Sequence, residues 1–383
     1  MTIESHNLTM PERVLIVGSR KPAVERALDA LGIVKHAYLG DLVDGDPLVQ
    51  VHPELVKAAD RWQAQNGAAG VVATSDRTMM TAAHLRSRYG LPGPGLDETT
   101  VGTNKLRMRQ ATAGAVRAPR AWSICSFLAM RPDEIGVKDV VIKPLHSSSS
   151  RGVRRMSVPA AYEWLAGAEE FYVVEEAVDV EQELHAEGLV VNGALAWLEC
   201  SSYDRPVLLA RRGVRTSLIL SAADPRRESM AEMAQAVLTA MAVTTSVFHM
   251  EFLVQNGELH FGEVGLRPAG SGVSELLDLA VGSSVWEAHI SAQVGVKPRG
   301  TAPTRSAQPL TGLVMARLGE DGRAPLAQTE AERLPGVIGT TRGTLTPGQV
   351  PPDQCSSEYS ALFTGLDRAG LDDLIATVSG ERA

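Results

Sequence analysis

Apolar residues run unbroken in two short stretches near the start of the chain, within R-V-L-I-V-G-S (13–19) and G-V-V-A-T-S-D (70–76), and both read as buried strands. Apolar positions at helical spacing follow each of them. Ala23 to Leu31 forms a predicted helix closed by Gly32, and Thr78 to Arg88 forms a second. Strand and helix in alternation predict a small open α/β domain, and the turn-dense L-P-G-P-G (91–95) marks its end. The first strand runs into G-S-R-K-P and not G-x-G-x-x-G, so dinucleotide binding is not supported there.

Past that boundary the pattern changes to strands with few helices between them. A helix is expected from Thr103 to Thr112, ending at Gly114, then strands at Arg120 to Ile124 and at D-V-V-I-K-P (139–144). The polar loop H-S-S-S-S-R-G-V (146–153) leads on from the second of these. F-Y-V-V-E-E (171–176), E-L-H-A-E-G-L-V-V (183–191) and A-L-A-W-L-E-C (194–200) read as further strands, the last two joined as a hairpin across Asn192-Gly193. Residues 226–242 make a helix. A strand pair, V-F-H-M-E-F-L-V then E-L-H-F-G-E-V, turns around Gln255–Gly257. From about 301 the chain is rich in Pro, Gly and Thr and is expected to form a small closing subdomain.

Composition narrows the class. At 383 residues, more than one core is expected, and 44% apolar with 21% charged residues is ordinary for a globular protein. A net charge of −8 with no basic run argues against nucleic-acid binding. No stretch of about 18 apolar residues suggests a membrane span. No signal-peptide pattern is read at the N-terminus, so a cytoplasmic location is expected. Cys125, Cys200 and Cys355 lie far apart without C-x-x-C spacing and predict neither a zinc site nor a disulfide framework.

Four features carry candidate chemistry. The chain has only seven lysines, and Lys143 ends a buried-looking strand just before the serine-glycine loop. There it either offers a point charge to phosphate oxygens, with loop N–H groups cradling the phosphate, or snorkels from a strand end. Glu251 and Glu263 lie on the 247–264 strand pair, and two carboxylates on one face suit magnesium, which binds through oxygen. A two-residue Asn256-Gly257 turn pairs residues summing to 513 and puts these glutamates on opposite faces. A three-residue loop or a bulge brings them together, so the metal reading predicts one of the two. Arg267 in R-P-A-G-S-G (267–272) could bind a carboxylate or a developing oxyanion, held in place by the two glutamates beside it. Finally E-E-A-V (175–178) ends a strand in carboxylates and an apolar residue, which suits an adenine edge, and Glu183 could reach ribose hydroxyls. Less specific are His249 and His260, Asp76 with Arg77 at a strand end, and the cluster Arg211, Arg212 and Arg215, which lines an acceptor pocket or a solvated face.

Taken in order, these segments resemble the ATP-grasp superfamily over roughly residues 100–295. T-N-K-L-R-M-R-Q-A-T-A-G-A-V-R-A-P-R resembles its K-x-x-m-r-x-x-l-x-x-a-G-v-x-x-P segment, V-I-K-P-L-H-S-S-S-S-R-G-V its second lysine and phosphate-covering loop, and V-V-E-E-A-V its adenine strand. H-M-E-F-L-V and F-G-E-V-G-L-R-P-A-G are similar to the metal strands and the arginine-glycine element, and look most like carboxylate-amine ligases of the amino-acid (dipeptide-forming) type. The resemblance implies a mixed α/β and α+β ATP-grasp fold in four parts: an N-terminal α/β domain at 1–97, a small subdomain at 98–180, a large subdomain at 181–300 and a C-terminal subdomain at 301–383. It implies nucleotide contacts from Lys105, Lys143, Ser148, Ser149, Ser150, Gly152, Glu175, Glu176, Val178 and Glu183, magnesium on Glu251 and Glu263, and a catalytic Arg267. Which of Glu175 and Glu176 faces adenine stays open. Gly265 departs from the family, since many relatives carry there an asparagine that also ligates metal. The reaction implied is an ATP- and Mg-dependent joining of a small carboxylate, an amino acid, to an amine through an acyl-phosphate, with ADP and phosphate released. Another nucleophile (ammonia, a hydroxyl or a thiol) or a non-catalytic nucleotide-binding module is the alternative. A homodimer is compatible with it.

Overall fold

The computed structural model of the chain describes residues 9–18, 20–39, 53–168, 171–209, 212–282, 284–298, 310–343, 345, 347–348 and 357–381. Cys355, Arg211 and the start of the Pro/Gly/Thr-rich tail lie outside the described residues. The continuous apolar runs become central strands, as full burial requires. Strand β1 (Arg13–Val17) leads through α1 (Pro22–Ala30) to β2 (Lys35–Tyr38), then through α2 (Pro53–Asn66) to β3 (Gly70–Ala73) and α3 (Asp76–Tyr89). The three strands pair parallel in the order β2-β1-β3. The pattern reading missed β2 and α2. Lys35–Tyr38 buries only Tyr38, and α2 packs its buried face with Leu55, Ala58 and Ala59, too little bulk to stand out among polar neighbours.

The helix expected from 103 to 112 is α5 (Lys105–Thr112), and a further helix that the pattern did not show, α4 (Leu96–Thr103), runs directly into it. Asn104 breaks them: its backbone is extended, and its side chain accepts a hydrogen bond from the Arg107 N–H at 3.0 Å, capping α5. Lys105 therefore stands in the first turn of α5, with its own N–H bonded to Leu145 O, beside the serine loop.

Next come β4 (Ala121–Ser123), α6 (Ile124–Ala129), β5 (Asp139–Pro144), β6 (Arg154–Ser157), α7 (Val158–Ala166) and β7 (Tyr172–Glu176), forming an antiparallel sheet of order β4-β7-β5-β6. Its core is Phe127, Val140, Ile142, Leu165 and Val174.

The remaining strands build one eight-stranded sheet. They are β8 (Gln182–Val191), β9 (Ala194–Tyr203), β10 (Arg215–Ile219), then after α8 (Arg226–Ala240) β11 (Ser246–Gln255) and β12 (Glu258–Gly265). Helices α9 (Val273–Val281) and α10 (Val285–Gln293) precede β13 (Leu310–Ala316), α11 (Gln328–Ala331), β14 (Val337–Arg342), β15 (Tyr359–Leu366) and α12 (Arg368–Val378). The order is β12-β11-β8-β9-β10-β13-β15-β14. The strands after 310 thus extend the large sheet and do not form a sheet of their own. Asn192-Gly193 and Asn256-Gly257 make two-residue turns with both residues at positive φ, the hairpin geometry their sequences dictate. Among the described residues no helix is long and apolar enough to cross a membrane.

Candidate active site

A cleft with about 370 Å³ of room is lined by residues of the four-stranded sheet on one side and of the eight-stranded sheet on the other, with Asp76 and Arg77 of α3 also reaching it. Lys105, Lys143, Ser148, Ser149, Ser150, Glu175, Glu176, Val178, Glu183, Glu251, Glu263 and Arg267 all line it. Gly152 lies in the same loop, at φ +71°, where a side chain would press on Pro144.

The register of the β11–β12 hairpin answers the geometric question posed by the sequence. The turn is the two-residue one, with Gln255 opposite Glu258, yet Glu251 stands opposite Glu263. A bulge makes up the difference: the pairing slips by one between Glu251 and Phe252, and Gly262 is the extra residue. A Cβ on Gly262 would lie 2.7 Å from Glu251 O, so glycine is what lets the bulge close. Both carboxylates are partly exposed to the cleft.

Three cations hold this arrangement. Lys105 Nζ donates to Glu263 Oε2 at 2.7 Å. Lys143 Nζ lies 2.7 Å from Glu175 Oε2. Arg109, one helical turn beyond Lys105 on the same face of α5, donates to Glu175 Oε1 at 2.7 Å, to Phe261 O at 2.9 Å and to Gly262 O. It clamps the two bulge carbonyls to the glutamate of β7. Burial alone would raise the Glu175 carboxyl, but Arg109 and Lys143 outweigh it and hold it down at about 2. Both Glu175 oxygens are therefore engaged from within the protein, whereas Glu176 is half-exposed at the cleft and paired with Arg120 at 2.9 Å. Val178, Val141, Val153, Val180, Leu253 and Met108 give the cleft an apolar lining.

Arg267 is positioned differently from the expectation. It is not clasped by the two glutamates of the hairpin. Its Nε donates to Asp76 Oδ2 at 2.6 Å, its Nη2 lies 2.5 Å from the same oxygen, and its Nη1 donates to Pro268 O at 2.8 Å. Asp76 is buried, which would raise its pKa, but Arg267 brings it below the ordinary range. Gly265 makes room for the pair: a Cβ there would sit 3.3 Å from Asp76 Oδ1 and 3.7 Å from Arg267 Cγ.

Behind the carboxylates lies a network the sequence did not reveal as a unit. Glu187 Oε1 takes His249 Nδ1 at 2.6 Å and His185 Nδ1 at 2.9 Å, and His185 Nε2 reaches Ser217 Oγ at 2.7 Å. Burial disfavours charge on His249, but Glu187 and Glu251 (3.5 Å from Nε2) push it up to about 10. Burial and the nearby Glu251 carboxylate both push Glu183 upward, and its Oε2 accepts from the Val207 N–H at 2.7 Å. His260, the other candidate histidine of this hairpin, is not among the cleft-lining residues. The only warning of the network was alternation: Glu183, His185 and Glu187 are two apart on β8 and share a face.

The donor set tests well against a magnesium-nucleotide. Facing carboxylates supply hard oxygen ligands, and lysines beside them with a serine loop bearing Ser149, Ser150 and Gly152 at positive φ suit a phosphate chain.

No protein-family model matches the chain. The L-arginine-specific L-amino acid ligase of Bacillus subtilis is 26% identical over 245 residues, 60% of this chain, and the chain spans 59% of that relative's length. The crystal structure of an L-amino acid ligase from Bacillus licheniformis superposes with a TM-score of 0.76 at 15% identity, covering 96% of this chain and 97% of that one. The biotin carboxylase domain of the 2-oxoglutarate carboxylase from Hydrogenobacter thermophilus, a dimer complexed with MgADP, ADP and bicarbonate, gives a TM-score of 0.67 at 15% identity over 96% and 89% of the two chains.

Proposed function

We propose that this chain, whose fold is that of the ATP-grasp proteins, is an ATP- and Mg-dependent ligase that joins an amino acid, through its carboxylate, to an amine. The observation that carries the reading is the bulge at Gly262, which sets Glu251 opposite Glu263 within a cleft that also holds Lys105 and Lys143. A hairpin of surface glutamates needs no such bulge. The Bacillus subtilis relative supports an amino acid as the acid, and the MgADP complex of the Hydrogenobacter neighbour supports the nucleotide and the metal.

In this reading Glu251 and Glu263 hold magnesium, which supplies charge neutralisation on the phosphate chain when bound. Lys105 and Lys143 hold phosphate oxygens as point charges, each kept in place by a glutamate. Val178 and its apolar neighbours take the adenine face, the Glu176–Val178 backbone its edge, and Glu183 the ribose. The loop bearing Ser148, Ser149, Ser150 and Gly152 covers the phosphates and excludes water, which protects an acyl-phosphate from hydrolysis. The acid's carboxylate attacks the γ-phosphate and ADP leaves. The amine then attacks the acyl-phosphate carbonyl, and Arg267, anchored by Asp76, faces the oxyanion that develops. Its collapse breaks the acyl C–O bond, so that inorganic phosphate leaves and the amine nitrogen gives up its proton to the departing phosphate. Residues 1–97 contribute Asp76, 98–180 the loop and adenine strand, 181–300 the metal pair, and 301–383 closing strands of the large sheet.

Release of ADP and phosphate from ATP and magnesium, with amino acids offered singly and in pairs, tests this against a Glu263→Ala control. Release that requires two amino acids and vanishes in the control is expected. Release with no amino acid dependence, or release that survives in the control, would sink the assignment.

A further inference from the structure

We infer that Arg215 is an oxyanion-binding residue of the cleft, taking either the γ-phosphate of the nucleotide or the carboxylate that receives it; the inference rests on the ligase reading above. Arg215 opens β10 and lines the cleft with Tyr203, Val207 and Glu183. The residue is 4% exposed, and its guanidinium lies 4.7 Å from the centre of the Tyr203 ring. The single hydrogen bond it makes is from Nη2 to the Met315 sulfur at 3.1 Å, a weak acceptor. Nε and Nη1 are buried without a hydrogen-bond partner, and no carboxylate among the described residues comes within ion-pair distance of it.

Other buried arginines show what this chain does when a guanidinium is structural. Arg109 is met by Glu175 and two carbonyls. Arg227 is met by Glu199 at 2.7 Å and Leu220 O at 3.0 Å. Arg86 reaches Pro94 O, Val71 O and Gln293 Oε1. Arg267, the other arginine of this end of the cleft, has its donors on Asp76 and Pro268 O. Arg215 alone of these keeps two strong donors unspent beside the cavity. The Glu183 carboxyl acts on it only across space, and a buried guanidinium whose donors meet no acceptor is a standing cost to the fold. A planar fork of donors matches the paired oxygens of a carboxylate or phosphate, so such a ligand would remove that cost. The face of Tyr203 compensates part of the charge but accepts none of the N–H groups.

The test compares the full-length wild type with Arg215→Met and Arg215→Lys. Calorimetry gives Kd for MgADP, for the magnesium complex of the β,γ-imido analogue of ATP, and for the amino acid that drives ADP release in the wild type, added with MgADP. Thermal melting of the ligand-free proteins runs beside it. The expected result is that Arg215→Met melts no lower than wild type and keeps its MgADP Kd within about twofold. It should lose about tenfold or more on the imido analogue if the γ-phosphate is the ligand, or on the amino acid if the carboxylate is, with Arg215→Lys recovering part of the loss. Unchanged Kd values for all three ligands would overturn the inference. So would a lower melting temperature with uniformly weaker binding, the signature of a structural arginine. A wild type that binds no MgADP would instead overturn the ligase reading itself.

Discussion

Two side chains at the edge of the cleft decide how much of the chemistry is electrostatic positioning. Arg267→Ala is expected to lower kcat for ADP release about 10²–10³-fold, the loss seen when an oxyanion donor is removed. Asp76→Ala leaves the guanidinium in place but unanchored, and should cost less than Arg267→Ala in the same assay. An equal or larger loss would mean that Asp76 itself touches a reactant. Glu175 is the corresponding point on the other side of the cleft, the side proposed to hold the nucleotide. Glu175→Gln leaves Arg109 and Lys143 buried beside a neutral amide, a change worth about 3–5 kcal/mol in denaturant unfolding when a buried ion pair is broken. Its pKa is depressed in the fold from 4.5 to about 2, so the stability it contributes is present above about 4.5 and is lost as pH falls towards 2. The wild type should therefore lose stability steeply through that window and Glu175→Gln much less so; parallel pH profiles would contradict the assignment. Residue identities such as Lys105, Lys143, Glu251 and Arg267 were legible because their order along the chain carries the signal. Their partners were not: Asp76 and Arg267 are 191 positions apart, and nothing local to either names the other.

At the scale of elements, period and turn chemistry gave most of the strands and the two Asn-Gly hairpins, because those signals are local. The bulge is a middle case. Counting register from the turn showed that Glu251 and Glu263 could face each other only through a longer loop or an extra residue, and the structure uses the extra residue at Gly262. Helix α4 was missed because L-D-E-T-T-V-G-T carries three threonines, a valine and a glycine, all weak helix formers, while the Asn104 cap that separates it from α5 depends on a single side-chain hydrogen bond. Gly262→Ala tests the bulge directly. Its Cβ would lie 2.7 Å from Glu251 O and 3.1 Å from Glu251 C, backbone atoms that cannot swing aside. Overpacking of this kind costs about 1–3 kcal/mol, so a lower denaturant midpoint is expected, together with loss of magnesium-dependent ADP release. A variant with wild-type activity at a shifted midpoint would show that the glutamates tolerate another register.

For the molecule as a whole, the turn at 91–95 reads as the end of a domain, but the core it closes is not contiguous in sequence. Val14, Ile16, Val24 and Leu28 from the first sheet pack with Trp286, Ile290 and Val294, which come from α10 and its end. Arg86 ties the same face together by bonding Val71 O and Gln293 Oε1, and His289 Nε2 lies 2.8 Å from Ala73 O. A helix that follows β11 and β12 thus completes the N-terminal core, and it brings the start of α3, with Asp76, to Arg267. No boundary signal in the chain could reveal this, because hydrophobic periodicity says that a helix buries a face and not which sheet receives it. Burying side chains of this size contributes about 1.5–3 kcal/mol each, so three of them approach the roughly 5–15 kcal/mol that holds a whole domain folded. A fragment of residues 1–97 is therefore expected to lack a cooperative thermal transition by circular dichroism, and adding a peptide of residues 284–298 should restore one. A fragment that melts cooperatively by itself would show that the first sheet needs no help from α10 to fold.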